Sequence, residues 1–152
     1  MQKGNRNWIE IGMGLKKYDL EERLIDFGVL MIEVAETTDM KREAGRYLSG
    51  QLIRSGTSPG IHYGEAQAAE SRKDFIRKMK VILKELKETR RNLVMSSKAK
   101  LHRSPAIAEK GIAESNELIA IFTKSIQTAK KGGKQGKNRR TDRVKQNNRR
   151  TD

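Results

Sequence analysis

The chain has 152 residues, enough for one domain with a buried core, and its 33 Lys or Arg against 19 Asp or Glu give a formal charge of +14. It contains no cysteine, which excludes a disulfide framework, a thiol nucleophile and a cysteine-ligated zinc site. Aromatic residues make up 5% of the chain and prolines number two, a composition that favours helices over a β-sandwich.

Residues 1–18 form the predicted N-terminal extension. This segment has no continuous apolar stretch of the kind found in a secretory signal. No stretch of the sequence approaches the roughly 20 apolar residues that cross a bilayer. We therefore expect a cytoplasmic protein with no membrane partner.

The first predicted helix begins at Asp19, which suits the N-cap together with Glu22 three residues later. The stretch Glu36–Asp39 is expected to end it. Between them, an apolar stripe at spacings of 4, 3, 4 and 3 consists of Leu20, Leu24, Phe27, Met31 and Val34.

The second predicted segment, from about Lys41 to Ala69, is the least regular. Pro59 removes a backbone donor and is expected to kink a helix near Gly56. Glycines lower helix propensity by up to about 1 kcal/mol each relative to alanine. They favour either a weak helix or loop, or a crowded surface where two helices approach closely. The glycines are Gly45, Gly50, Gly56, Gly60 and Gly64, and the bulky residues are Tyr47, Leu48, Leu52, Ile61 and Tyr63.

The third predicted helix has the most regular pattern. Ser71 and Asp74 supply a capping pair. The apolar stripe behind them has spacings of 4, 3, 4, 3 and 4 and consists of Phe75, Met79, Ile82, Leu86, Thr89 and Leu93.

The fourth predicted helix begins at Ser104 and Pro105, where serine suits the N-cap and proline the first helical position. Gly132 is expected to follow its last turn as the C′ residue. Its stripe consists of Ile112, Ile119, Phe122, Ile126 and Ala129. Four amphipathic helices with short connections predict an all-α helical bundle over residues 19–131 with nearly parallel packing. Because the stripes are modest, oligomerisation would complete their burial.

The C-terminal segment, residues 132–152, differs sharply in composition. From position 130 onward there are ten Lys or Arg and two Asp, a net charge of +8, and the sizeable apolar residue is Val144. Such a segment cannot offset its own ordering entropy, so we predict a disordered basic tail. The pentapeptide Asn-Arg-Arg-Thr-Asp occurs at 138–142 and 148–152, which a short duplication in the coding DNA also explains.

Catalytic and metal chemistry finds little support in the sequence. A di-iron bundle needs Glu-x-x-His motifs, and neither His62 nor His102 follows a glutamate by three residues. Glu85 and Glu88 are one turn apart on a basic helix, where ion pairs explain them better than catalysis. No phosphate-binding loop, serine-nucleophile or zinc-protease motif is present. We therefore predict no catalytic residue, no metal and no cofactor.

The basic residues are the remaining functional signal. Lysines and arginines neutralise phosphates and release counterions, which gives salt-sensitive binding that does not depend on base sequence. A solvated face with a solubilising tail is the alternative. The candidate nucleic-acid-binding residues are Lys73, Arg77, Lys80, Lys84, Lys87, Arg90 and Arg91 on the third helix, and Lys130, Lys131, Lys134, Lys137, Arg139, Arg140, Arg143, Lys145, Arg149 and Arg150 near the C-terminus.

Several motifs in order carry a family resemblance over roughly residues 19–131. They read Gln51-Leu-Ile-Arg-Ser-Gly-Thr-Ser58, Tyr63-Gly-Glu-Ala66, Glu70-Ser-Arg-Lys-Asp-Phe75 and Leu83-Lys-Glu-Leu-Lys-Glu-Thr89. The chain resembles the four-helix bundle family of the 23S rRNA intervening-sequence proteins. That family also includes the accessory variability determinant (Avd) proteins of diversity-generating retroelements.

The resemblance implies an up-down bundle that assembles as a ring-like homopentamer with a central channel, a basic surface and no catalytic activity. In the Avd branch it implies binding to a reverse transcriptase and to RNA or DNA. It also implies a polar network of Gln51, Arg54, Ser55, Ser58, Glu65, Lys84, Glu85 and Glu88. The sequence departs from the family pattern at His62 and at Arg90–Asn92.

Three hypotheses from different classes follow. The first is an oligomeric nucleic-acid-binding accessory protein that serves a reverse transcriptase. The second is a structural interaction scaffold of the intervening-sequence type whose charge matches an acidic protein, without meaningful nucleic-acid affinity. The third is an enzyme with a ligand or metal site that the sequence does not reveal.

Overall fold

Four helices make up the described part of the chain, which is residues 17–148 of a computed structural model, with side chains described for 20–134. They are α1 (Lys17–Glu36), α2 (Glu43–Gln67), α3 (Arg72–Lys98) and α4 (Pro105–Asn148). Each helix packs on the next along the chain, and α4 also packs on α1. Because the connections 37–42, 68–71 and 99–104 are short, consecutive helices run in opposite directions. The prediction of an all-α bundle is confirmed.

The helix starts agree with the capping signals in two of three cases. The Ser71 hydroxyl accepts a hydrogen bond of 3.1 Å from the Asp74 amide, and α4 begins at Pro105. The prediction for α1 is wrong, because the helix starts at Lys17 and Asp19 lies inside its first turn.

The core is built from the predicted stripes. Leu24, Phe27 and Met31 of α1 are fully buried, as are the third-helix residues Phe75, Met79, Ile82 and Leu86. At the centre, the rings of Tyr63 and Phe122 pack edge to face with centroids 6.2 Å apart. In the least regular segment, Leu52 and Tyr63 are buried, whereas Tyr47 and Ile61 lie on the surface.

Four of the five glycines of α2 fall into two groups. A methyl group at Gly56 would overlap the Met31 side chain, and one at Gly60 would lie 3.2 Å from the Leu24 carbonyl oxygen. Gly50 and Gly64 face open space. Close approach of α1 and α2 is therefore confirmed at Gly56 and Gly60, while α2 continues as one helix with Pro59 buried inside it.

The fourth helix passes its predicted end at Gly132 and continues to Asn148. Residues 132–148 are therefore helical here, which corrects the prediction of a disordered tail for that part. The segment is rich in Lys, Arg and Gln, which are good helix formers, and adding turns to an existing helix avoids the cost of nucleation. Residues 149–152, like residues 1–16 of the predicted N-terminal extension, lie outside the described residues.

Two loops pair at one end of the bundle. The Asp39 amide donates to the Leu101 carbonyl at 2.7 Å, and the Arg103 amide donates to the Thr37 carbonyl at 2.8 Å. Between them, the His102 ring has Nε2 2.7 Å from the Ser96 hydroxyl. Its Nδ1 lies 3.4 Å from the Thr38 hydroxyl of the other loop, and burial of the ring lowers the pKa of His102.

Candidate nucleic-acid interface

Charge is divided unequally between two helices of the bundle. Helix α3 carries ten basic and three acidic residues, a net of +7, whereas α1 carries two basic and six acidic residues, a net of −4. Each of the two packs on α2 and α4, so α1 and α3 occupy opposite corners. The α3 side of the bundle is therefore basic and the α1 side acidic.

The exposed side of α3 carries a row of cations that we call the basic stripe: Lys73, Lys80, Lys84, Lys87 and Arg91. Their spacings of 7, 4, 3 and 4 place them on one helix face, and all five side chains are exposed. At 1.5 Å per residue the row is about 27 Å long. In the described part of the chain, the cations of α3 that form ion pairs are Arg77 and Lys78, and neither belongs to the stripe. The stripe therefore retains its full charge.

Arg77, predicted as a binding residue, has a different environment. It forms an ion pair with Asp74 at 2.6 Å, and Lys78 forms another at 3.0 Å with the same carboxylate. The hydrogen bond from Arg77, and to a smaller extent the one from Lys78, lowers the pKa of Asp74. Arg77 lies on the same helix face as the basic stripe, but its charge is locally offset by Asp74, so we do not count it in the stripe.

Arg90 lies where α3 meets α4, in a cleft of about 390 Å³ lined by Lys87, Arg90, Arg91, Asn116 and Ile119. Its Nε donates a hydrogen bond of 2.5 Å to Asn116 Oδ1. Sequence reasoning missed Asn116 and Ile119 as site residues. No local pattern identifies them, because the packing register of α3 against α4 brings them beside the arginines.

The C-terminal cations lie along α4. With 44 residues against 27 in α3, α4 extends well beyond the other helices. Lys130, Lys131 and Lys134 are exposed. The helical backbone also carries Lys137, Arg139, Arg140, Arg143 and Lys145, whose side chains are not described, and the predicted Arg149 and Arg150 lie outside the described residues.

The polar network predicted from the resemblance divides into three groups. Arg54 bonds Gln51 Oε1 at 3.0 Å, pairs with Glu88 and has Glu85 at 3.9 Å, which joins α2 to α3 at the surface. The Ser55 and Thr89 hydroxyls lie 2.9 Å apart in the buried interface of the same two helices.

Ser58 and the His62 ring form the third group, 2.9 Å apart on α2. Glu65 lines a cleft beside Ser58, His62 and Glu85. Lys84 is exposed on the basic stripe rather than in the network. Most of the network therefore acts at the contact between α2 and α3, where exposed ion pairs contribute about 0–1 kcal/mol each.

An apolar groove lies between α1 and α2, away from the basic stripe. Gly28, Thr57 and Gly60 line it, and the side chains of Ile25, Val29 and Ile61 beside it are 48%, 48% and 70% exposed. On the outer surface of α1, the groove is followed by three exposed carboxylates, Glu22, Asp26 and Glu33. The side of the molecule opposite the basic stripe is thus both apolar and acidic.

Within the described residues, no group of three or more His, Asp or Glu side chains is arranged to hold a metal ion. No helix in residues 17–148 is both long and apolar enough to cross a membrane. The fold and the charged surface together define a small helical bundle with a cationic face.

Comparison with known proteins agrees with that class. One solved structure aligns with a TM-score of 0.62 and 28% sequence identity, over 70% of this chain and 97% of the other. It is described as a protein of unknown function from the S23 ribosomal protein family of Bacteroides thetaiotaomicron. No family model and no curated protein matches the chain. The solved structure supports the likeness to the intervening-sequence family.

Proposed function

We propose that the chain is a non-catalytic accessory protein that binds RNA or DNA through the basic stripe and the basic part of α4. The observation that carries this proposal is the row of five exposed cations on α3. These cations stand on a helix of net charge +7, opposite a helix of net charge −4.

Binding by such a row follows from counterion release. Each phosphate that a lysine or arginine neutralises frees condensed cations, so the logarithm of the binding constant falls with the logarithm of salt concentration. The slope is about −0.9 per contact on duplex DNA, and five contacts by the stripe give about −4.5. Binding through phosphates carries little base specificity, which suits an accessory protein that acts on many sequences.

The proposal also includes self-assembly, as a homopentamer, and a reverse transcriptase as partner in the manner of the Avd branch. The motifs from Gln51 to Thr89 support these finer statements by resemblance. The groove between α1 and α2 supports them physically, since exposed apolar surface next to polar residues marks protein contacts.

A structural interaction scaffold without nucleic-acid affinity is the second candidate. The apolar groove favours it, because that surface is suited to proteins rather than phosphates. The two candidates differ in what the basic stripe does near physiological salt.

The test is a nucleic-acid titration over a range of salt concentrations with four proteins. They are the full chain, a chain ending at Lys131, a stripe variant and a matched control. The stripe variant carries Lys73→Gln, Lys80→Gln and Lys84→Gln. The control carries Lys41→Gln, Lys110→Gln and Lys124→Gln, which remove equal charge from exposed positions elsewhere.

We expect the stripe variant to bind more weakly, with a salt slope shallower by about one unit per lysine removed. The control should remain close to the full chain, and the shorter chain should keep a smaller slope. If no protein binds at about 0.15 M salt, the scaffold is the better description. Equal losses in the stripe variant and the control would show that only net charge matters.

A further inference from the structure

We propose that the cleft between α3 and α4 binds one unstacked nucleotide of a single strand, with its base on the guanidinium plane of Arg90. The phosphate of that nucleotide lies against Lys87 and Arg91. This inference rests on the proposed nucleic-acid binding and names the form of nucleic acid that the site prefers.

The lining of the cleft matches the parts of a nucleotide. Lys87, Arg90 and Arg91 supply positive charge, Asn116 supplies an amide, and Ile119 supplies apolar surface. A volume of about 390 Å³ lies within the range of small-molecule pockets, about 300–1,000 Å³. A phosphate alone would use the cations and leave the apolar wall uncovered.

Arg90 is the group best prepared to hold a base. It is half-buried, and the bond from its Nε to Asn116 fixes the guanidinium plane. Unstacked bases stack on aromatic rings or on arginine planes, and a plane already fixed loses less freedom on binding. Because Asn116 Oδ1 accepts from Arg90, the NH₂ group of the amide can donate to a base edge.

Among the described side chains, no aromatic ring offers an alternative platform on the α3–α4 face. Among the described aromatic side chains, Phe27, Tyr63, Phe75 and Phe122 are fully buried. Tyr47 is 65% exposed but lies on α2. Stacking on the α3–α4 face therefore depends on arginine.

A duplex does not satisfy this site. Its bases remain in the stack, and extracting one costs a few kcal/mol. Duplex phosphates would contact the basic stripe but leave the cleft empty. Preference for a single strand thus distinguishes the cleft from the stripe, which attracts both forms through their phosphates.

The test compares the full chain with an Arg90→Lys variant, which keeps the charge and loses the planar group. The probes are a short single-stranded DNA containing 2-aminopurine and the corresponding duplex, at about 0.15 M salt. Arg46→Lys is the matched control, an exposed arginine on α2 whose guanidinium donates to the Met40 and Lys41 carbonyls. Asn116→Ala is a second variant that releases the guanidinium without altering charge.

We expect Arg90→Lys to weaken single-strand binding about tenfold, because base stacking on a side chain contributes substantially to each contact. The 2-aminopurine fluorescence change should shrink with it, while duplex binding and the Arg46→Lys control remain within about twofold of wild type. Asn116→Ala should give a smaller loss of the same kind.

Two results would overturn the inference. If Arg90→Lys binds the single strand like wild type while the stripe variant weakens both probes, the cleft is not a nucleotide site, although the proposed function stands. If the wild-type chain binds neither probe, the proposed function fails and the inference fails with it.

Discussion

Helices α1 and α3 bury similar apolar stripes but expose opposite surfaces to solvent. On α1 the exposed side chains include Ile25, Val29 and the carboxylates of Glu22 and Asp26. On α3 they form the basic stripe. The core requirement is the same for both helices, so it does not explain the difference in their outer faces. In the function proposed above, α3 contacts phosphates and α1 contacts protein.

Charge reversal should give the largest effect. Lys80→Glu, Lys84→Glu and Arg91→Glu replace attraction of phosphates by repulsion, and we expect nucleic-acid affinity to fall more than about 100-fold. Glu22→Gln, Asp26→Gln and Glu33→Gln on α1 should change it less than about threefold, because charges on the opposite side are screened over a Debye length of about 8 Å. Fluorescence anisotropy at fixed salt concentration measures the affinity of both variants. A similar loss of affinity in the α1 and α3 variants would show that the two helices do not differ in nucleic-acid binding.

A charge in the apolar groove tests the other half of the comparison. Val29→Lys should shift the chain from oligomer to monomer in multi-angle light scattering, because it places an ammonium group within an apolar contact. Val81, 52% exposed on α3, offers the matched control Val81→Lys. If the mass is unchanged by the first variant, or falls with both, the groove is not the contact between copies.

Packing of α1 against α2 gives a matched pair of glycine substitutions. Gly56→Ala adds a methyl group that overlaps Met31, and we expect it to lower the free energy of unfolding by about 1–3 kcal/mol. Gly50→Ala enters open space and should raise the same quantity by about 0.4–1 kcal/mol. Urea denaturation followed by circular dichroism measures both changes. If the two substitutions change the free energy of unfolding in the same direction, the close approach at Gly56 is contradicted.

The smallest expected effect concerns His102. Its pKa in the folded chain is below the ordinary value of 6.5, so the unfolded chain binds the proton more readily. The free energy of unfolding should therefore fall as pH drops below about 6.5 towards the folded pKa. His102→Gln should reduce this dependence. Denaturation curves between pH 7.5 and about 5 would test it.

Local signals predicted some elements well and others poorly. The Ser71 cap and the stripe from Phe75 to Leu93 placed α3 correctly, because a regular apolar period requires no knowledge of partners. The end of α4 at Gly132 was wrong, because the helix continues through Gly132, Gly133 and Gly136; extending a helix that is already formed avoids the cost of nucleation. The glycines of α2 were ambiguous, since crowding at Gly56 depends on Met31 of another helix.

By itself, the sequence determined the four amphipathic helices, the basic character of α3 and the absence of cysteine chemistry. These are properties of spacing and composition, which each segment carries alone. Tertiary structure decided that α3 lies opposite acidic α1, and that Asn116 and Ile119 form a cleft with Arg90. Such relations depend on the register between packed helices, which many side chains set together rather than any one motif.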